Sequence, residues 1–306
     1  MIYTVTLNPS IDYLISIDNL KLGEVNRAQN SILFPGGKGI NVSRVLTNGH
    51  TNNTALGFVG GFTGKFIQES LKNLNIKSDF NFINGLTRIN VKIKSTDETD
   101  INGEGPSISD EELKSFFQKL KTLKENDILV MAGKIQNTLP QTLYSDIQNF
   151  LKNSKVKIIV DTSGDALLQC IKNKPFLIKP NNFEIEEIFK TKITNREELI
   201  QYGEKLHLLG AENVIISLAG DGALLINKDG VFFGNAPRGK VINSVGAGDS
   251  LVGGFLNEYS KSQNILESFK RGIATGSASA FSLDICTEDF ADKLLNTISI
   301  TKLFTL

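Results

Sequence analysis

Apolar and polar positions along the chain follow two rhythms. Short β-branched runs recur at Tyr3 to Leu7, Thr54 to Phe58, Asp127 to Met131, Lys157 to Val160, Phe176 to Ile178 and Asn213 to Leu218. Between them lie stretches with helical spacing. The clearest begins at Ser109, where Glu112 completes a capping box and Leu113, Phe116, Phe117, Leu120 and Leu123 mark one face. Strands that alternate with helices predict βαβ units, hence a mainly parallel sheet with helices on both faces.

Two stretches break this rhythm. Tyr13 to Leu33 and Thr87 to Ile101 alternate apolar and polar residues without helical periodicity, and the second predicts a hairpin turning near Thr96 to Glu98. Four such strands make a small antiparallel sheet standing off the main layer, and a sheet of that size needs a partner to cover its face. This points to a lid and to a homodimer interface through it. No repeat, low-complexity tract or linker divides residues 1–306, so they read as one domain with lid strands inserted at about 13–33 and 87–101.

Composition narrows the class. Lys plus Arg equals Asp plus Glu at 33 each, so there is no basic excess to drive binding to nucleic acid or to an anionic membrane surface. Cys170 and Cys286 are far apart, without CxxC spacing, and read as inert thiols rather than a disulfide or a zinc knuckle. The N-terminus lacks a basic segment followed by an apolar one, and no run of about 18 apolar residues occurs. These are features of a soluble, cytoplasmic protein. His50 and His207 receive no role.

The chemistry concentrates where glycines precede helices. Asn243 to Ser250 reads NSVGAGDS and leads into the apolar pattern Leu251, Val252, Phe255, Leu256. At a helix N-terminus the backbone N–H groups lack intrahelical partners and the dipole is positive, which suits a phosphate gaining charge during transfer. Gly246, Ala247 and Gly248 would line that anion site, and Asp249 beside it could accept a proton from an attacking hydroxyl. The same residues also suit a plain glycine-rich turn with an acid in the first helical turn. Neither GxxxxGK[ST] nor GxGxxG is present, since Val59 and Phe66 spoil the first around Lys65 and Leu251 spoils the second.

Gly246 to Asp249 resembles the GAGD signature of the ribokinase, or PfkB, family of carbohydrate kinases. Phe34 to Asn41, FPGGKGIN, is similar to the family's GGKG-x-N motif. Lys179 to Glu184, KPNNFE, is similar to its NxxE motif, and Ser217 to Ala223 to its nucleotide-side turn, with Ala219 where a glycine is usual. The resemblance implies a ribokinase-like three-layer α/β/α fold with a small antiparallel β lid. It also implies ATP and Mg2+ as cofactors, a small phosphorylated sugar as partner, and Asp249 as catalytic base with Gly246, Ala247 and Gly248 as its anion site. Gly37, Lys38 and Asn41 would contact the acceptor sugar. Ser217, Gly220, Gly222 and Lys179 would bind the nucleotide, and Asn181 and Glu184 would order Mg2+ through water.

Thr6 to Asp12, TLNPSID, resembles the opening of the branch that acts on phosphorylated ketohexoses, with Asp12 on sugar hydroxyls. Thr87 to Lys92, TRINVK, supplies Arg88 for the substrate phosphate, a task suited to a planar guanidinium; Arg27 is a second candidate. Within the branch the chain is most similar to members that phosphorylate fructose 1-phosphate, with tagatose 6-phosphate kinases next and a 6-phosphofructokinase of the same family as a further alternative. A family serine that follows Ala132-Gly133 is replaced by Lys134. A kinase of free sugars or nucleosides and a non-catalytic sugar-phosphate sensor are the alternatives. Arg88 speaks against the first, the intact Asp249 against the second.

Overall fold

The computed structural model describes residues 1–305. The chain enters as β1 (Ile2–Thr6), β2 (Ser10–Ser16) and β3 (Asn30–Gly36), then α1 (Lys38–Asn48), β4 (Asn53–Gly60) and α2 (Gly61–Asn73). Short β5 (Lys77–Ser78) and β6 (Asn81–Ile83) precede the hairpin of β7 (Arg88–Lys94) and β8 (Glu98–Asn102), then α3 (Asp110–Leu120). Next come β9 (Ile128–Ala132), α4 (Leu143–Phe150), β10 (Lys157–Asp161), α5 (Gly164–Ile171), β11 (Leu177–Ile178), α6 (Asn182–Phe189) and α7 (Arg196–Leu208). The last part holds β12 (Asn213–Ser217), β13 (Ala223–Asn227), β14 (Gly230–Gly234), α8 (Ala247–Ser262), α9 (Ile265–Ala280), α10 (Glu288–Leu295) and β15 (Ile300–Phe304).

The main sheet runs β15-β14-β13-β12-β11-β10-β9-β1-β4-β5, with β6 also paired to β4. It is parallel from β5 to β12 and antiparallel from β12 to β15. Alternate strand residues feed two cores. Leu129 and Met131 join Val160, Phe116, Tyr144 and Leu167 on one face. Ile128 and Val130 join Ile159, Val42, Phe255 and Phe269 on the other. Both faces are therefore covered by helices, which explains why the parallel strands read as continuous apolar runs. The Ser109–Glu112 capping box forms at the start of α3, and Phe116 and Leu120 of that helix are fully buried. Both thiols are buried, and burial pushes that of Cys170 up to about 12. Among the described residues no helix is long and apolar enough to cross a membrane.

The second sheet has the order β3-β2-β7-β8. Each hairpin is antiparallel, but the two join through a parallel pair, Ser10 to Ser16 of β2 against Arg88 to Lys94 of β7. Its faces differ in character. Asp12 aligns with Asn90, which aligns with Asn102, giving a polar face. Tyr13 aligns with Leu33 and Val91, and Val91 with Ile101, giving an apolar one.

Candidate active site

A cavity of about 910 Å³ lies between the polar face of the small sheet and the carboxyl ends of the main-sheet strands, where ligands of open α/β sheets are found. Its position follows from the topology. From β1 the chain runs outward to β4 on one side and to β9, β10, β11 and β12 on the other, so the connections diverge above β1.

At the centre, α8 begins after Gly246, whose φ of 79° and ψ of −3° place it in the left-handed region that favours glycine. Asp249 in the first turn is 6% exposed, and its Oδ2 accepts a 2.8 Å hydrogen bond from Asn41 Nδ2. Burial, and secondly the charge of Asp161, push its carboxyl up to about 6, against the opposing pull of Lys38, Asn41 and Lys179. Ser250 N closes onto Gly246 O at 2.8 Å. The amide expected of Ala247 is not available to an anion, because it donates to Ser244 O at 3.3 Å within the turn. Gly246 and Gly248 keep free N–H groups at this end.

Asp161 at the end of β10 is 1% exposed and accepts from Lys38 Nζ at 3.3 Å and Lys179 Nζ at 3.4 Å, both on Oδ1. The two ammonium groups hold its carboxyl below the usual range although burial acts the other way. The Asp161 charge in turn raises the affinity of Lys38 for its proton.

At the lid end, Asp12 accepts from Ser10 Oγ at 2.8 Å and Asn90 Nδ2 at 2.9 Å, with Lys92 Nζ 3.8 Å away. Arg88 donates through Nε to Asn8 O and through Nη1 to Gly103 O, both at 3.3 Å. Its burial lowers its proton affinity, the charge of Asp12 opposing this. At the opposite end the wall is formed by Ser217, Gly220, Gly222, Arg238 and the apolar Val241, Ile273 and Ala280. Gly222 has φ 102°, and a Cβ there would lie 2.0 Å from Gly234 O, so the chain's own turn requires this glycine. A Cβ on Gly220 meets nothing within 4 Å.

Asn181 and Glu184 form a capping box on α6, Asn181 Oδ1 accepting from Glu184 N at 2.8 Å and Glu184 Oε2 from Asn181 N at 2.9 Å. This leaves Glu184 Oε1 as the oxygen open to a cation. Among the described residues no group of three or more His, Cys, Asp or Glu could hold a metal ion. A donor set this sparse fits Mg2+ that arrives with phosphate and water ligands.

The profile of the pfkB family carbohydrate kinases matches residues 5–287. The chain belongs to the PfkB family. The 1-phosphofructokinase of Bacillus subtilis is 50% identical over 303 residues, 99% of this chain and 100% of that protein. The D-tagatose-1-phosphate kinase of Bacillus licheniformis is 36% identical over 304 residues, again 99% and 100%. In fold, the Escherichia coli phosphofructokinase-2 structure in complex with substrates and products superposes with a TM-score of 0.92 at 24% identity, covering 97% and 98% of the two chains.

Asp12, Gly37, Lys38, Asn41, Arg88, Lys179, Asn181, Glu184, Ser217, Gly220, Gly222 and Gly246 to Asp249 all line the one cavity of this PfkB chain. Arg27 and Lys134 do not; both are exposed on loops. Asn41 is turned toward Asp249 rather than standing free. Ser10, Asn90, Lys92 and Asn102 line the lid end without having been read from the sequence. Asn90 and Lys92 were within reach, because with Arg88 they share one face of a strand at every second residue. Asp161 carried a quieter signal, an acid closing the apolar run Ile158 to Val160.

Proposed function

We propose that the protein transfers the γ-phosphoryl group of ATP to the C6 hydroxyl of fructose 1-phosphate, giving fructose 1,6-bisphosphate and ADP. The observation that carries this reading is the cavity itself. A cationic, hydroxyl-binding lid end and a glycine-lined nucleotide end meet at one buried carboxylate, Asp249, with two lysines beside it. The 50% identity to a 1-phosphofructokinase over the whole chain supports fructose 1-phosphate as the acceptor.

Asp12 binds sugar hydroxyls while Arg88 and Lys92 take the C1 phosphate. This fixes the C6 hydroxyl beside Asp249, and such positioning is the larger share of catalysis in phosphoryl transfer. Asp249 removes the hydroxyl proton as the oxygen bonds to the γ-phosphorus. The bond from phosphorus to the bridging oxygen breaks, and ADP leaves with that electron pair. The amides of Gly246 and Gly248, with the Lys179 ammonium, meet the charge on the transferring group. Mg2+ would be held through water by Glu184, with Asn181 buttressing that carboxylate, and would neutralise the β- and γ-phosphates. The nucleotide base occupies the apolar wall of Val241, Ile273 and Ala280. The reaction belongs to the cytosol, where ATP is kept abundant, and all of the chain, lid included, serves it as one domain.

The apolar face of the small sheet, with Tyr13, Leu33, Val91 and Ile101 in register, would be covered by the same face of a second copy. Val91→Asp should then give a monomer by light scattering, and an unchanged mass would dismiss this dimer.

Tagatose 1-phosphate is the second reading, because the relative named for it also aligns end to end and it differs from fructose 1-phosphate only in configuration at C4. The deciding assay is ADP release from Mg-ATP with fructose 1-phosphate, tagatose 1-phosphate, tagatose 6-phosphate, fructose 6-phosphate and free fructose. The highest kcat/KM on fructose 1-phosphate upholds the reading. Preference for a 6-phosphate or a free sugar rejects it.

A further inference from the structure

Asp161 is an awkward residue to keep in a core. Its Oδ2 is buried and accepts no hydrogen bond, and a buried ion pair of this kind contributes little to stability compared with apolar packing. What it does have is two cations from different elements on a single oxygen: Lys38, the first residue of α1, and Lys179, just after β11. Lys179 is 5% exposed, and its Nζ lies 3.3 Å from where a Cβ on Gly248 would stand, so the ammonium is against the start of α8. The next residue, Asp249, has only Asn41 as a hydrogen-bond partner.

We infer that Asp161 is a positioning residue: its buried carboxylate holds the ammonium groups of Lys38 and Lys179 on the phosphate path and keeps them from pairing with Asp249. The inference rests on the kinase reading for what the lysines and Asp249 do, and on geometry alone for where they stand. Asp249 is faced by Asp161, Lys38, Asn41 and Lys179, and Lys38 also feels Glu184. Removing the Asp161 charge deletes a like charge and releases two cations toward Asp249. Both changes favour the carboxylate over the protonated acid, and an ion-paired carboxylate is a poor proton acceptor.

The test is Asp161→Asn in the full chain, with two readouts. Carbon NMR follows the titration of the Asp249 carboxyl without substrates, and steady-state kinetics give kcat and KM across pH. The Asp249 midpoint, about 6 in the parent, should fall by about one pH unit or more. The acidic limb of kcat/KM should move with it, and kcat should fall roughly a hundredfold while KM for the acceptor changes by less than about threefold. A merely structural Asp161 would change the unfolding temperature and leave both pH readouts in place, and that result overturns the inference. The titration needs no turnover, so it distinguishes failure here from failure of the kinase reading, which would show as a parent inactive on every acceptor. If the neutral variant does not fold, Asp161→Glu takes its place. With the charge retained and the lysines still paired to it but shifted by one methylene, the Asp249 midpoint should stay near its parent value while kcat drops about tenfold, and parental kcat in that variant overturns the inference.

Discussion

Asp249→Asn should cut turnover sharply and at the same time make the protein more stable, by an amount that depends on pH in a defined direction. A carboxyl held at about 6 instead of its ordinary 3.8 costs about 3 kcal/mol of folding free energy once ionised. Asparagine has nearly the same shape and can still accept from Asn41, so the substitution removes that cost without opening a cavity. The attraction of Lys38 and Lys179 is already contained in that shift, so the gain should be about 3 kcal/mol where the carboxyl is fully ionised. An acid whose folded value lies above its unfolded one destabilises the fold above the folded value, and the penalty fades as pH falls from about 6 toward 3.8. Urea unfolding of parent and variant at pH 8 and at about pH 4 measures this. The variant should be the more stable at pH 8, with the difference nearly gone at the lower pH. General-base catalysis contributes about 10²- to 10⁴-fold, so kcat should drop by about that factor. A variant less stable than the parent at pH 8, or a difference independent of pH, would refute the reasoning that burial strains this carboxylate.

With Arg88 on the acceptor phosphate as proposed, Arg88→Ala would remove a charged donor worth about 2 kcal/mol, or roughly a thirtyfold rise in KM for fructose 1-phosphate, with a smaller change in kcat. Gly222→Ala should cost at least about 2 kcal/mol in chemical denaturation, since its Cβ would collide with Gly234 O. Gly220→Ala should change stability by less than about 0.5 kcal/mol and act only on KM for ATP. Ala219→Gly relieves a left-handed alanine at φ 50°, a gain of about 1 kcal/mol, but frees the unfolded chain by a similar amount. Its unfolding midpoint should therefore stay within about 0.5 kcal/mol of the parent.

Much of the architecture was legible because burial on both faces writes itself as continuous apolar runs: β1, β4, β9, β10, β11 and β12 all lie within a residue or two of their expected positions. β13 and β14, buried and apolar, also went unassigned, because Ser217 to Ala223 reads as a nucleotide-side turn and no strand is marked beyond it. The other strands that escaped notice are of another kind. β5 and β6 are two and three residues long, and β15 is an edge strand with four of five residues exposed. Neither length nor patterning sets such segments apart from loops. The parallel join of β2 to β7 was also out of reach, since pairing strands so far apart in the chain, Ser10 with Arg88 through Ser16 with Lys94, leaves no local periodicity. At the site, the glycine motifs were visible because helix N-termini need particular residues close together in sequence. Asp161 was not, because its meaning depends on two lysines brought to it from separate elements. For Asn181 and Glu184 the local signal served two readings at once, and the capping box is the one the backbone demonstrably uses.

The small sheet has a consequence for how this protein can change over time. Along β7, Arg88, Asn90 and Lys92 face the cavity while Ile89, Val91 and Ile93 face away. A substitution can retune one of these faces and leave the other alone. Inserting or deleting one residue within the strand cannot, because a slip of one position exchanges the faces wholesale and would aim three apolar side chains into the cavity. Drift in acceptor preference is thus open to this scaffold through side chains, while the length of Arg88–Lys94 is locked.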